Sequence, residues 1–316
     1  MNHANENEVL EHFNSKCREI HDSMCPPPKN GLLYHYTDYY GLEKIIQQQR
    51  LWFANYKCLN DPTEIKYAQD IIEKISKEYN NDLLNDLLNK FFDAINHKHN
   101  IYIACFSESI EKLSLWRYYA SNGCGVAIGF DEDMNSHRDS ENSANYTEPN
   151  MIKVTYGEKS EELIRQFFDL FQNLYNQIDP ASFKKNIYPA FLTHLLAILP
   201  VFKHESFEEE AEFRWVHQAG LFCLNPLTKQ PYVFEDKYKP TASKLPESKF
   251  LPFVKQRSSK TFIYPEKFLP SAIKEIWIGP CCEFLEARDW IVNLLSENGF
   301  NIEKIKIEKA PLPYQI

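Results

Sequence analysis

The sequence predicts an α+β fold, and three observations carry that expectation. Short runs rich in aromatic and β-branched residues, among them Leu32–Thr37 and Ile273–Ile278, are bounded by turn-forming residues, the pattern of strands. Longer stretches, such as 9–24 and 62–97, repeat their apolar residues at helical spacing. With 316 residues, 43% of them hydrophobic and 14% aromatic, the chain is able to bury a large core in one enlarged domain or two.

The elements follow in order. Residues 9–24 place Val9, Leu10, Phe13, Cys17 and Ile20 on one helix face, and Pro26, Pro27 and Pro28 end that helix. The stretch 1–30 therefore reads as a helix with a Pro-rich linker, and 31–316 as a single enlarged domain. Leu32–Thr37 is a first strand, 39–49 a helix and 51–54 a second strand. Asn60-Asp61-Pro62 signals a helix start, with Asp61 as N-cap, Pro62 at the first helical position and Glu64 in the first turn. Two helical patterns fill 62–97, the second with a wide apolar face, and read as an insertion covering the core. Next come a strand at 102–106, a short helix at 113–120 and a strand at 125–130. Residues 131–150 are acidic and rich in Ser and Asn, a surface loop. A strand at 151–156 leads to helices at 161–177 and 181–199, the latter apolar on most sides and so buried or facing a partner. The Pro- and Lys-rich stretch 225–268 is irregular, and 273–278, 283–298 and 304–307 read as strand, helix, strand.

The segment from Phe202 to Trp215 carries the most chemistry. As a strand, its second half would point Glu210, Glu212 and Arg214 one way and Ala211, Phe213 and Trp215 the other. A carboxylate row beside an apolar row suggests a site; the plainer alternative is a surface Glu212–Arg214 ion pair of little energetic weight. Far upstream, His35 ends an aromatic run, where a histidine satisfied within the core is the plainer reading. For Asn60 and Asp61 that reading is capping alone.

A formal net charge of -9 excludes general nucleic-acid binding over the whole surface, leaving only local basic patches around 244–260. The eight cysteines form no Cys-x-x-Cys pair and no metal-like spacing, and several sit in apolar strands, as buried thiols of a reducing compartment do. Residues 1–8 are polar and acidic, unlike a signal peptide, and no apolar stretch is long enough to span a membrane. A cytoplasmic protein without a membrane partner is expected.

Six pieces, in this order, carry a family resemblance: Tyr34-His35-Tyr36-Thr37, Leu51-Trp52-Phe53, Asn60-Asp61-Pro62-Thr63-Glu64, Cys105-Phe106-Ser107-Glu108, Leu115-Trp116-Arg117-Tyr118-Tyr119-Ala120, and Phe202-Lys203-His204 with Glu210-Ala211-Glu212-Phe213-Arg214. The chain resembles the bacterial domain-of-unknown-function family twenty-nine seventy-one, which looks like a branch of the ADP-ribosyltransferase superfamily. That resemblance implies a split, mostly antiparallel sheet with helical insertions, NAD as substrate, cleavage at the nicotinamide–ribose bond and transfer of ADP-ribose to a macromolecular acceptor, protein or nucleic acid. The wider superfamily suggests a toxin or a phage-defence effector. Carried over to this chain, Glu212 stabilises the oxocarbenium-like sugar, Glu210 assists the acceptor and His35 hydrogen-bonds a ribose hydroxyl, helped by Tyr36 or Thr37. Two carboxylates two residues apart on a strand would share a face and reach both sides of one reacting bond. The resemblance also gives Asn60, Asp61 and Ser107 to cofactor binding, Ser107 answering to a serine that other members carry on a central strand or else capping the next helix, and Arg214 either steadies Glu212 or meets a phosphate. Trp52, Tyr56, Trp116 and Tyr119 all suit the nicotinamide platform, since the second strand offers Trp52 and Phe53 rather than one clear tyrosine. Competing readings are a non-catalytic nucleotide-binding or interaction module, an NAD glycohydrolase, and a metal hydrolase using His204, Glu208 and Glu212 at helical spacing of four.

Overall fold

The computed structural model describes residues 6–24, 26–59, 64–98, 100–134, 150–219, 223–224, 231–232, 241–242, 261–263 and 268–314. The helices are α1 (Glu6–Met24), α2 (Tyr39–Gln48), α3 (Glu64–Ser76), α4 (Asp82–Lys98), α5 (Leu113–Tyr119), α6 (Glu158–Tyr175), α7 (Pro180–Ser182), α8 (Tyr188–Ile198) and α9 (Phe284–Glu297). The strands are β1 (Leu32–Thr37), β2 (Phe53–Asn55), β3 (Asn100–Ser107), β4 (Val126–Asp131), β5 (Asn150–Lys153), β6 (Thr155–Tyr156), β7 (Phe202–Lys203), β8 (Glu212–Ala219), β9 (Cys223–Leu224), β10 (Pro231–Tyr232), β11 (Thr241–Ala242), β12 (Thr261–Ile263), β13 (Ile273–Ile278) and β14 (Lys306–Lys309).

The main sheet is mostly antiparallel and runs β11-β12-β2-β3-β1-β4-β13-β14, with only β13 and β14 parallel; β8 also pairs with β3, and β5 with β8. β8 follows one edge of β3 over its whole length, from Asn100↔Ala219 to Ser107↔Glu212. A strand has two edges, so β2, pairing at Tyr102 and Ile103, and β1, pairing at Ser107, must share the other. The sheet opens between them.

Alternation assigns the two faces. Ile101, Ile103, Ile152 and Val216 pack with the helices α1, α3, α4, α6 and α8 in one core. Tyr102, Ala104, Phe106, Phe213 and Trp215 take the opposite face, packed with α2 and α9. A third, smaller cluster joins Tyr34, Tyr36 and Trp277 to Leu115 and Trp116 of α5. The stretch read as an insertion forms α3 and α4, which pack in this core, and α1 is buried in the same cluster through Phe13, Cys17, Ile20 and Met24. Burial in that apolar setting pushes the Cys17 thiol up to about 12.

Three local departures from the sequence reading have physical causes. The strand expected at 151–156 breaks at Val154: its N–H still donates to its register partner Glu212 O at 2.9 Å, but the Glu212 N–H donates to the Tyr156 hydroxyl. The helix expected at 181–199 splits into α7, a π-helical turn over Phe183–Ile187 and α8, because Pro189 has no N–H to continue a regular ladder. The strand expected from residue 210 begins at Glu212, after a 3-10 helix over Glu205–Glu210 and Ala211 in the left-handed conformation at φ 45. The Asp61 cap and most of the loop at 131–150 lie outside the described residues, as does most of 225–268. No helix among the described residues is long and apolar enough to cross a membrane.

Phe171 anchors the helical core, with ring centroids 4.5 Å from Phe191 and 5.0 Å from Phe183 and no exposed surface. Phe171→Ala should therefore lower stability by about 3–5 kcal/mol, seen as a lower urea midpoint with an unchanged slope.

Candidate functional site

The opening between β1 and β2 leads to a cleft of about 380 Å³, within the usual range for small-molecule sites. On the β3 edge facing it, Cys105 lies between Ile103, paired to β2, and Ser107, paired to β1. The His35 ring reaches its carbonyl, with Nδ1 donating to Cys105 O at 2.9 Å. A carbonyl accepts only, so Nδ1 carries the proton and Nε2 is left as an acceptor. Desolvation lowers the His35 pKa, with the Cys105 bond opposing it, and the ring is neutral at neutral pH. The sequence reading allowed His35 both a donor and an acceptor for a ribose; the donor is spent on β3.

Register shows how distant residues converge here. Tyr34, Ser107 and Glu212 are successive partners across β1, β3 and β8, so their side chains share a face, and His35, next to Tyr34, takes the other. In a continuous sheet His35 and Glu212 would be separated by the backbone layer. Because the sheet opens, both line one cleft.

At its acidic end the cleft meets a buried charge cluster. Lys203 Nζ lies 2.6 Å from Glu210 Oε2 and 2.9 Å from Glu212 Oε2. Arg214, fully buried, donates through Nε to Glu212 Oε1 at 2.9 Å, through NH2 to Glu212 Oε2 at 3.1 Å, and through NH1 to Pro200 O at 2.8 Å. Burial alone would raise the Glu212 pKa, but Arg214 and then Lys203 outweigh it and hold the carboxyl well below its usual range. Backbone bonds fix the acid in place: Glu212 N donates to Tyr156 Oη at 3.0 Å, and β6 and β7 pair Tyr156 with Lys203. Ser107 Oγ donates to Glu210 O at 2.7 Å and accepts from Ser109 N, tying the end of β3 to the 3-10 turn.

Aromatic groups form the walls. Trp52, Tyr40, Phe207 and Tyr119 line the cleft, and the Tyr119 hydroxyl donates to Glu210 Oε1 at 2.8 Å. Tyr36 also lines it, although its hydroxyl donates to Ser109 O at 2.6 Å and burial pushes its pKa up. Thr37 and Asp38 reach it from the start of α2, where Asp38 caps the helix by accepting from Gly41 N at 2.6 Å. Gly41 permits this arrangement, since a Cβ there would run into the Thr37 hydroxyl.

Residues 115–215 match the family model described as protein of unknown function, DUF2971. The family resemblance is thereby shown over that stretch. It spans α5, Lys203 and the Glu210–Arg214 cluster, while His35 and Trp52 lie upstream of it. No curated protein and no solved structure matches the chain.

Of the residues singled out from sequence, His35, Tyr36, Thr37, Trp52, Ser107, Tyr119, Glu210 and Glu212 are brought to the cleft. Trp116 is not a platform: it is fully buried, edge-on to Tyr36, with its indole N–H donating to Ile110 O at 2.7 Å. Tyr56 does not line the cleft, and Asn60 and Asp61 lie outside the described residues. Arg214 steadies Glu212 and stands behind it, away from any phosphate in the cleft. Glu210 is not a strand neighbour of Glu212: the left-handed Ala211 between them turns the chain, and the two meet through Lys203 rather than through a shared strand face. The helix needed to align His204, Glu208 and Glu212 for a metal is absent; His204 caps the 3-10 turn and Glu212 is on β8. Sequence reasoning quoted Lys203 but gave it no role, since a lysine after a phenylalanine carries no sign of burial; its 4% exposure comes from the fold.

The lowered Glu212 pKa makes a signed statement about acid stability. Its contribution is complete above the ordinary carboxyl value of 4.5 and is lost progressively as pH falls below it, because the unfolded chain then binds a proton the folded one refuses. Glu212→Gln should flatten the acid limb of the stability profile below about pH 4.5, measured by urea unfolding across pH, relative to the unmodified chain.

Proposed function

We propose that the cleft binds NAD and cleaves its nicotinamide–ribose bond, passing ADP-ribose to an acceptor, in a sheet of ADP-ribosyltransferase type. The observation that carries this reading is the convergence of His35 and Glu212, from opposite faces and distant parts of the chain, on one cleft walled by aromatic rings. The bond to a cationic nicotinamide breaks with its electron pair leaving on the base, so positive charge develops on the ribose. A carboxylate held ionised by its surroundings stabilises that charge without reorganising. Glu212 is such a carboxylate, and His35 Nε2 is an acceptor suited to a sugar hydroxyl. Trp52 and Tyr119 are the aromatic groups available to the nicotinamide ring, with faces that favour a cation. Cytoplasmic residence and a defence or toxin role belong to the same reading.

One observation favours a second reading, a nucleotide-binding module without catalysis. Glu212 is 3% exposed and has both oxygens engaged by Arg214 and Lys203, so its charge is largely answered before any substrate arrives. Incubation of the purified protein with nicotinamide-labelled NAD separates the two. The transferase reading expects nicotinamide release that Glu212→Gln reduces about a hundredfold or more, with NAD binding changed far less and circular dichroism unaltered. Tight binding of NAD with no release by the unmodified protein establishes the module, and absence of binding ends both.

A further inference from the structure

We infer that Lys203 is a positioning residue of this site, whose ammonium joins Glu210 to Glu212 and offsets their charge, fitting the cleft to a neutral hydroxyl acceptor rather than a guanidinium or ammonium group. The inference rests on the NAD-cleaving reading and names the class of its second substrate.

The geometry is that of a bridge. The ammonium of Lys203, a residue 4% exposed, contacts a carboxylate oxygen of each glutamate at 2.6 and 2.9 Å and lies 4.7 Å from the Phe207 ring centroid. Two carboxylates brought onto one nitrogen are close enough that, without the cation, ionising both would be costly and one would retain a proton. The other titratable groups packed around the pair are Arg214 on β8, which serves Glu212, Tyr119 on α5, which donates to Glu210, and Tyr156 on β6, which receives the Glu212 N–H. Glu205, Glu208 and Glu209 of the same 3-10 turn are exposed. None of these replaces Lys203 as a charge shared by both acids.

The charges then sum to nothing: Glu210 and Glu212 against Lys203 and Arg214, all within hydrogen-bond reach. A cationic acceptor would have to displace Lys203 or lie against it. A hydroxyl pays no such penalty. In the transfer step the ribose C1′–nitrogen bond breaks with its electrons going to nicotinamide, the acceptor oxygen forms a bond to C1′, and the acceptor proton passes to the Glu210 carboxylate. Glu210 is the acid placed to take that proton, since its side chain is the less buried of the two, at 12% exposure against 4%.

The test has two arms. In the first, glutamate carboxyls labelled with carbon-13 are titrated by NMR, with Glu210→Gln and Glu212→Gln identifying the signals. In the unmodified protein the Glu212 carboxyl should remain ionised down through the ordinary carboxyl range; in Lys203→Met it should take up its proton at least about one pH unit higher, and Lys203→Arg should restore the original behaviour. A Glu212 carboxyl titrating in or above the ordinary range in the unmodified protein, or no difference in Lys203→Met, overturns the bridge. The unmodified protein decides this even if Lys203→Met does not fold. In the second arm, NAD is supplied with excess methanol or agmatine as probe acceptors. The methyl glycoside, or hydrolysis to free ADP-ribose, without an agmatine adduct is the expected result, and an agmatine adduct overturns the acceptor class. Absence of nicotinamide release under every condition defeats the NAD reading and the acceptor class with it, while the titration still reports separately on the bridge.

Discussion

Lys203 and Arg214 hold two glutamates in a nearly dry interior, and much of the candidate site's architecture follows from that constraint. A buried carboxylate is tolerable only when charge and hydrogen bonds replace the water it has lost. Here the replacements come from four places in the chain: Lys203 of β7, Arg214 two residues along β8, Tyr156 of β6 and the Pro200 carbonyl that completes Arg214. Meeting those demands ties β6, β7 and the turn before β8 together and leaves Ala211 in a left-handed conformation uncommon for a residue with a Cβ. Such a cluster contributes less to net stability than its contact distances suggest, because desolvation of the ions opposes their attraction. Its effect is on specificity of structure, since removing either cation would leave a carboxylate with unmet charge.

The cleft has an equally simple origin. β8 occupies one edge of β3, so β1 and β2 compete for the other and pair with different parts of it. Between them the sheet cannot close. There the His35 ring donates to the Cys105 carbonyl, a bond that also sets the ring's tautomer. One imidazole thus completes the sheet edge and presents an acceptor nitrogen at the site, so the structural and chemical readings of His35 do not exclude each other.

The strands of the main sheet were legible because half-buried β-structure writes itself as alternation: Leu33, Phe106, Ile128 and Ile276 all appear on the α2 and α9 face as a period of two requires. Helices α3, α4 and α6 were legible through their apolar spacing. The Glu210–Trp215 alternation misled at Glu210 and Ala211, because nothing in the letters marks Ala211 as left-handed; glycine or asparagine would have been the usual sign. Trp116 and Trp52 were equal candidates as platforms because chemistry alone does not distinguish a ring in a core from a ring at a rim. Packing against Tyr36 buries the first, and the second lines the cleft just before β2.

By itself the sequence determined the mixed fold, most element types, the family match over 115–215 and the pairing of a carboxylate with an arginine two residues on, all properties carried by local spacing or by short motifs. Only tertiary structure decided that His35 and Glu212 face one cleft, that Lys203 joins Glu210 to Glu212, and that Arg214 stands behind the acid. These depend on which edges of β3 are occupied and on how a turn aims its side chains. The first is set by pairings between residues tens to more than a hundred positions apart, the second by the left-handed turn at Ala211, and no local pattern records either.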